Sequence, residues 1–558
     1  MDRAAPNQDQ RTPLPGHRHV PLPGEKRSGG TDPGAELQVT LILRRRHPLP
    51  DLHSAPGDPS PRQRQHLSPG EFARKHGARK DDIARVSRFA RRHQLELLEV
   101  AAHRRAVVLG GKAAAMEHAF GVRLLEVEHP RGNYRAAAGR LTVPRELAEI
   151  VRAVLGLNTR PCAKRPRVHY PNPIKPFWTV PEMARAYGFP ATFSAAKQRI
   201  GLIELGGGYH EQDLQKFFTS LHRPMPAIHF VSVDGVGNSP APPHQMRQFF
   251  DVLDGNCKLS EVSADVLQAA QSTMEVTMDI ELAAALAPGA EIVVYMASNS
   301  EQGIYNAVSR AISGKEKLPC ALSISWGEPE TQLSRAYLKS LDELLRDAAM
   351  LGVAVCVSSG DQGAMNGSSG AKPGVNFPAS SPHVLSCGGT MVQDSPGKQV
   401  RESAWNCDLH GIRGATGGGV SQRFPVPRWQ KKHGVPLAPN GKRGRGVPDV
   451  AGPADPRRGC KIIAGGRCCP SAGTSAVAPL WAALVACLNA TLGTRCGYIT
   501  PLLYELAANS APVLREITRG NNGFYHAGPG WNACTGLGSP KVESLIEALR
   551  VASRGVSS

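Results

Sequence analysis

Four apolar runs restrict the kind of sheet this chain can build. "RIGLIEL" from Arg199, "AEIVVYMA" from Ala290, "CALSISWG" from Cys320 and "VAVCVSSG" from Val353 are strand-like, and helical patterns separate them. Each run gives way to Gly or a polar residue, as a strand does when it feeds a loop at the edge of a parallel sheet. The expected fold class is therefore α/β, a parallel sheet with flanking helices. Active sites of such sheets gather where strands end, and Glu204, Trp326 and Asp361 fall at those ends.

At 558 residues and 41% apolar composition the chain is long enough for more than one folded unit. Residues 1–34, rich in Pro, Gly and charge, read as disordered. Residues 35–158 read as a small α+β unit. In "LSPGEFARKHG", Ser68 is the N-cap, Pro69 opens the helix and Glu71 completes a capping box. "KDDIARVSRFARRHQ" gives a second helix, "LELLEV" and "AVVLGG" two strands, "KAAAMEHAFG" a helix closing on Gly121, and "VRLLEVEH" a further strand. This order is a split β-α-β arrangement of ferredoxin-like type. The Pro-rich, basic residues 159–173 read as an exposed linker and a candidate cleavage region, and 174–553 as the large α/β domain.

Charge is divided unevenly. Residues 1–170 hold 31 Lys and Arg against 17 Asp and Glu, whereas the rest of the chain holds 35 against 30. No aromatic-interleaved basic motif or zinc spacing accompanies the excess, so it suits an accessory segment that pairs with its neighbour, and no nucleic-acid partner is expected. The twelve Cys form no CxxC pair, and Cys356 and Cys387 lie in strand-like runs as core thiols. "ELAAALAPGAEIVVYMA", the best candidate for a membrane span, is broken by Pro288, Gly289 and Glu291, so no membrane partner is expected. No secretory signal is visible in the first 34 residues. The Gly-rich "ELGGGY" lacks both GxGxxG and GK[ST], and reads as a tight turn after a strand.

"PSAGTSAVAP" places Ser475 at the turn into a helix, where free N–H groups favour developing negative charge. None of the 19 His sits in a local signature that would make it this serine's base. "STMEVTMDIELAAALAPGA" offers carboxylates instead: Glu275 and Asp279 are four apart and share a helix face. By themselves, Glu275, Asp279 and Glu281 fit a solvated acidic face, while the apolar continuation argues for a buried helix in which one carboxyl of a pair is held protonated. Asp361, in "VSSGDQGA", fits either a turn former or a protonated donor to an oxyanion.

Taken together and in order, Glu275-x-x-x-Asp279, "SSGDQG", "GATGGGVSQRFPVPRWQ" and "AGTSAVAPLWAAL" resemble the sedolisin family of serine-carboxyl peptidases, most closely its kumamolisin-like branch. The resemblance implies a subtilisin-like fold with Glu in the place of His. It implies Ser475 as nucleophile, Glu275 as base and later acid, Asp279 as its orienter, Asp361 as oxyanion-hole acid, and Glu204 with Trp326 as the network behind the base. The N-terminal unit then resembles the family's activation propeptide, whose basic excess would clamp an acidic cleft at neutral pH and release it in acid. Protein or peptide substrates, an extracellular location and a monomer follow from the same resemblance, as does an acid-acting endopeptidase made as a zymogen. In "REITRGNNGFYHAGPGWNACTGLGSP" the family's calcium ligand positions fall on Glu516, Ile517, Gly528, Gly530 and Asn532, with Glu and Asn where Asp is usual. The expected cofactor is one Ca2+ ion, bound more weakly because Asn532 contributes only a neutral oxygen.

Overall fold

The computed structural model describes residues 11–50, 52, 65–130, 132–162, 177–314, 317–365, 373–393, 400–407, 414–509 and 512–554. Its large domain is built on an eight-stranded sheet comprising β1 (Arg199–Glu204), β2 (Ile228–Ser232), β3 (Glu291–Met296), β4 (Ala321–Ile324), β5 (Ala354–Ser358), β6 (Leu385–Val392), β7 (Glu402–Ala404) and β8 (Val450–Pro453). The order is β2-β3-β1-β4-β5-β6-β7, with β8 also on β6, and every pairing is parallel except β6 with β7. β4 and β5 are buried along their whole length, which explains their largely apolar character. From β1 the chain crosses to the edge strand β2, comes back inward with β3 beside β1, and then passes to the other side of β1 with β4. The crevice beyond the C-terminal ends of β1 and β4 is thus the topological switch point, where parallel sheets leave room for a site.

Two long helices carry side chains to that crevice. α1 (Ala264–Leu286) is capped by Ser263, whose hydroxyl accepts from the N–H of Val266, and it is buried continuously from Ser272 to Leu286. Helix α3 (Val477–Leu492), the third in the order used here, packs against α1, and its Trp481, Leu484 and Leu488 are fully buried. Burying each of those side chains contributes about 1.5–3 kcal/mol. Thr474–Leu492, and not the broken "ELAAALAPGAEIVVYMA", is the one stretch among the described residues long and apolar enough to cross a membrane. It is the buried central helix of the domain. On the opposite side of the sheet, α2 (Arg335–Met350) is capped by Ser334 and faces the N-terminal unit.

In the N-terminal unit, an antiparallel sheet runs in the order Glu96–Ala101, Ala106–Lys112, Glu36–Leu43, Val151–Leu155. Helices Pro69–His76 and Lys80–Arg92 follow its first strand in sequence, and Ala113–Phe120 follows its third, giving the expected ferredoxin-like unit. Ser68 and Glu71 form the capping box, each accepting the other's backbone N–H. The "VRLLEVEH" strand, Arg123–Glu128, lies outside this sheet, between Lys26–Gly30 and Tyr134–Ala138 in a sheet of three. Within residues 11–34, part of the segment expected to be disordered, Lys26–Gly30 joins that sheet, and Arg11–Pro13 pairs with Thr142–Pro144. Leu14 and Leu22 are buried beneath these strands, a contribution that Pro-rich and Gly-rich composition conceals. Of the 159–173 linker, residues 163–173 lie outside the described residues.

Candidate active site

Ser475 sits on a single 3-10 turn, Thr474–Ala476, that runs directly into α3. Gly473 enters the turn with φ +76°, and a Cβ there would come within 2.1 Å of Oδ2 of Asp361. Only glycine fits both the conformation and the space. The Ser475 side chain is fully buried, and its Oγ donates to the carbonyl of Ser325 at 3.3 Å. In return the Ser325 hydroxyl lies 2.6 Å from Oδ2 of Asp279 and 3.3 Å from the carbonyl of Ser475. Ser325 thereby ties the serine turn to the acidic face of α1.

Glu275, Asp279 and Glu281 are all buried, so the solvated acidic face is ruled out. Glu204, at the end of β1, is fully buried and accepts a hydrogen bond from Nε1 of Trp326 at 3.1 Å. Burial raises the carboxyl of Glu204, and the nearby charge of Glu275 raises it further. Burial likewise holds Asp279 well above the carboxylate range, with the charge of Glu204 adding to the effect. Their hydrogen bond to each other needs a proton that neither carboxylate possesses when ionised. One shared proton satisfies both groups and leaves the stack with less charge than three free acids would carry.

Asp361 follows β5. Its Oδ1 accepts from both the backbone N–H and the hydroxyl of Thr474, each at 2.7 Å, while Oδ2 has no hydrogen-bond partner among the described residues. Burial outweighs the two Thr474 bonds and pushes its carboxyl up to about 6. A protonated Oδ2 beside the Ser475 turn is a donor waiting for an acceptor. The "GATGGG" segment fixes this loop: Gly417 donates to the carbonyl of Gly360 at 2.6 Å, and Ser359 Oγ donates to the carbonyl of Gly417 at 2.7 Å. A Cβ on Gly417 would meet the carbonyl oxygen of Ser359 at 2.3 Å.

The structure thus gathers Ser475, Glu275, Asp279, Glu204, Trp326 and Asp361 at one switch point. Sequence reasoning missed Ser325 and Thr474, which connect the members of this cluster. Both stand inside quoted motifs, "SISWG" and "AGTSA", but a hydroxyl's partners are set by tertiary contact.

The 516–532 loop lies apart. Glu516 Oε1 accepts from the N–H of Gly530 at 3.1 Å. Nδ2 of Asn532 donates to the carbonyls of Ile517 at 3.2 Å and Gly528 at 3.1 Å. Two of the oxygens expected to face a cation are therefore occupied by an amide, and the donor set does not fit a calcium ion.

A family model described as "Pro-kumamolisin, activation domain" matches residues 23–160. Kumamolisin from a Bacillus species is 38% identical to this chain over 98% of each. The chain belongs to the sedolisin family of serine-carboxyl peptidases. Its N-terminal unit is the activation domain of this serine-type peptidase, and its substrates are proteins or peptides. Tripeptidyl-peptidase sed5 of Aspergillus fumigatus is 29% identical over 96% of this chain and 97% of its own. The solved structure of Pseudomonas sedolisin, a serine-carboxyl proteinase complexed with two molecules of pseudo-iodotyrostatin, superposes with a TM-score of 0.57 at 26% identity, covering 68% of this chain and 99% of that one.

Proposed function

We propose that this sedolisin is an acid-acting endopeptidase, made as a zymogen that cleaves itself, with Ser475 as nucleophile. The reading rests on one observation: the serine turn touches two different carboxyl systems, Asp279 through Ser325 and Asp361 through Thr474. Ser475 Oγ attacks the scissile carbonyl while Glu275 accepts its proton. Asp279 and Glu204, sharing a proton and backed by Trp326, hold Glu275 in place and tune it. The protonated Oδ2 of Asp361 donates to the oxyanion, and collapse of the tetrahedral intermediate expels the amine with a proton from Glu275. Water then attacks the acyl-enzyme by the same route.

Glu275 must be ionised and Asp361 protonated at once, which confines turnover to acid. The experiment is hydrolysis of two internally quenched peptides by acid-processed enzyme, one with a free and one with a blocked N-terminus. Cleavage of both in acid and of neither at mildly alkaline pH is the expected result. Cleavage of the free peptide alone, three residues at a time, would mark a tripeptidyl exopeptidase, and cleavage of neither a peptide-binding relative.

A further inference from the structure

The loop of residues 516–538 carries a built-in substitute for a cation. Asn532 is 8% exposed, and its amide touches the chain at both ends. Oδ1 accepts from the N–H of Cys534 at 3.1 Å, the N–H of Thr535 at 3.0 Å and the hydroxyl of Thr535 at 3.1 Å. Nδ2 faces the carbonyls of Ile517 and Gly528. The orientation is forced, because a flipped amide would set its N–H groups against two backbone donors and its oxygen against two carbonyl oxygens. An NH2 group, with two protons of partial positive charge, therefore stands where the carbonyls converge. Glu516, the remaining carboxylate, is turned onto the N–H of Gly530.

We infer that the Asn532 amide replaces a divalent ion in this loop, so that the domain holds its shape without calcium. The tie reaches the active site. Asn522, inside the loop, accepts at its carbonyl from the N–H of Ala364, three residues beyond Asp361, and its Nδ2 donates to the carbonyl of Ala533 at 3.0 Å. Thr416 of the "GATGGG" segment donates to the carbonyl of Cys534 at 3.0 Å. The turn that aims Asp361 is thus braced through covalent chain.

The test is the thermal midpoint of the full chain at neutral pH, in millimolar calcium chloride and in EDTA, with calorimetric titration of calcium. The native protein melts at the same midpoint in both and gives no binding heat. Asn532→Asp turns the two donors into acceptors, so in EDTA its midpoint falls by about 5 °C. Calcium then restores it, since a carboxylate and carbonyls now form an oxygen cage. Adding Glu516→Gln, which keeps the acceptor for Gly530, leaves the native midpoint unchanged but abolishes the calcium rescue of Asn532→Asp. A native midpoint several degrees higher in calcium, or Asn532→Asp as stable as the native chain in EDTA, overturns the inference.

Discussion

The two oxygens of Asp361 are placed differently: Oδ1 is saturated by Thr474, and Oδ2 has no partner among the described residues. With the carboxyl at about 6, the protonated form dominates in acid and is lost as pH rises, so the rate should fall roughly tenfold per pH unit above that value. Asp361→Asn keeps an oxygen for Thr474 and presents a permanent N–H donor in place of Oδ2. It should retain a measurable rate with a flattened alkaline limb, whereas Asp361→Ala should lose about 10²–10³-fold. A pH–rate profile decides it: an unchanged alkaline limb in Asp361→Asn would mean another group titrates. Ser475→Ala, Glu275→Ala and Asp279→Ala should each remove most of the rate, with double variants no worse than single ones, because the groups act as a unit. Ser325→Ala should lower kcat more than it raises KM, since it frees Asp279 without touching substrate.

At the scale of one helix, α1 buries three acids by turning them two ways. Asp279 reaches the serine turn through Ser325 and Glu275 lies near Glu204, while Glu281, two residues beyond Asp279, accepts from the N–H of Ile463 at 2.9 Å in the hairpin Lys461–Pro470. Asp213 takes the N–H groups of Gly465 and Gly466 in the same hairpin, at 2.7 and 2.8 Å. Burial holds Glu281 well above the usual carboxyl range, so its folded form prefers the proton. Glu281→Gln keeps an acceptor and removes the cost of the charge, and should raise the melting midpoint at neutral pH while leaving it nearly unchanged in acid. Glu281→Ala strands a buried N–H and should cost about 1–3 kcal/mol at either pH. A denaturation series across pH checks both. The i,i+4 spacing of Glu275 and Asp279 was legible because helix geometry is local, and the strand ends because apolar runs stop there. Glu281 was not, since its partner lies far along the chain. Strand Lys26–Gly30 escaped because it contains no apolar residue at all, and the orientation of Asn532 because it depends on Thr535.

Across the whole molecule, burial decides how acid acts on the large domain, while ion pairs hold the seam between the two units. Inside the large domain Glu281, Glu330, Asp361 and the Glu204–Asp279 pair are all raised by burial, so the folded state binds protons that the unfolded chain has already released. Stability from such groups is present in acid and lost as pH rises through their folded values. Glu291, paired with Arg199, pulls the other way, but its carboxyl is 30% exposed and the pair is partly screened by solvent. At the seam, Arg45 lies 2.6 Å from Asp347 of α2, and the fully buried Arg105 lies 3.5 Å from Asp347 and 3.4 Å from Glu343. Among the described residues these ion pairs join the N-terminal unit to α2. Replacing Asp347 by Asn leaves two cationic side chains, one of them fully buried, facing a neutral group, and breaking one partner of such a cluster costs about 3–5 kcal/mol. Weakening this seam should therefore loosen the activation domain on the enzyme. In a Ser475→Ala chain carrying an engineered protease site within 163–176, nicked at neutral pH, the activation domain should stay bound on gel filtration and leave as the pH is lowered. Asp347→Asn, which removes the charge at every pH, should release it at a distinctly less acidic pH, with the melting midpoint of the large domain unchanged. Release at the same pH in both chains would show that the seam is not what acid opens.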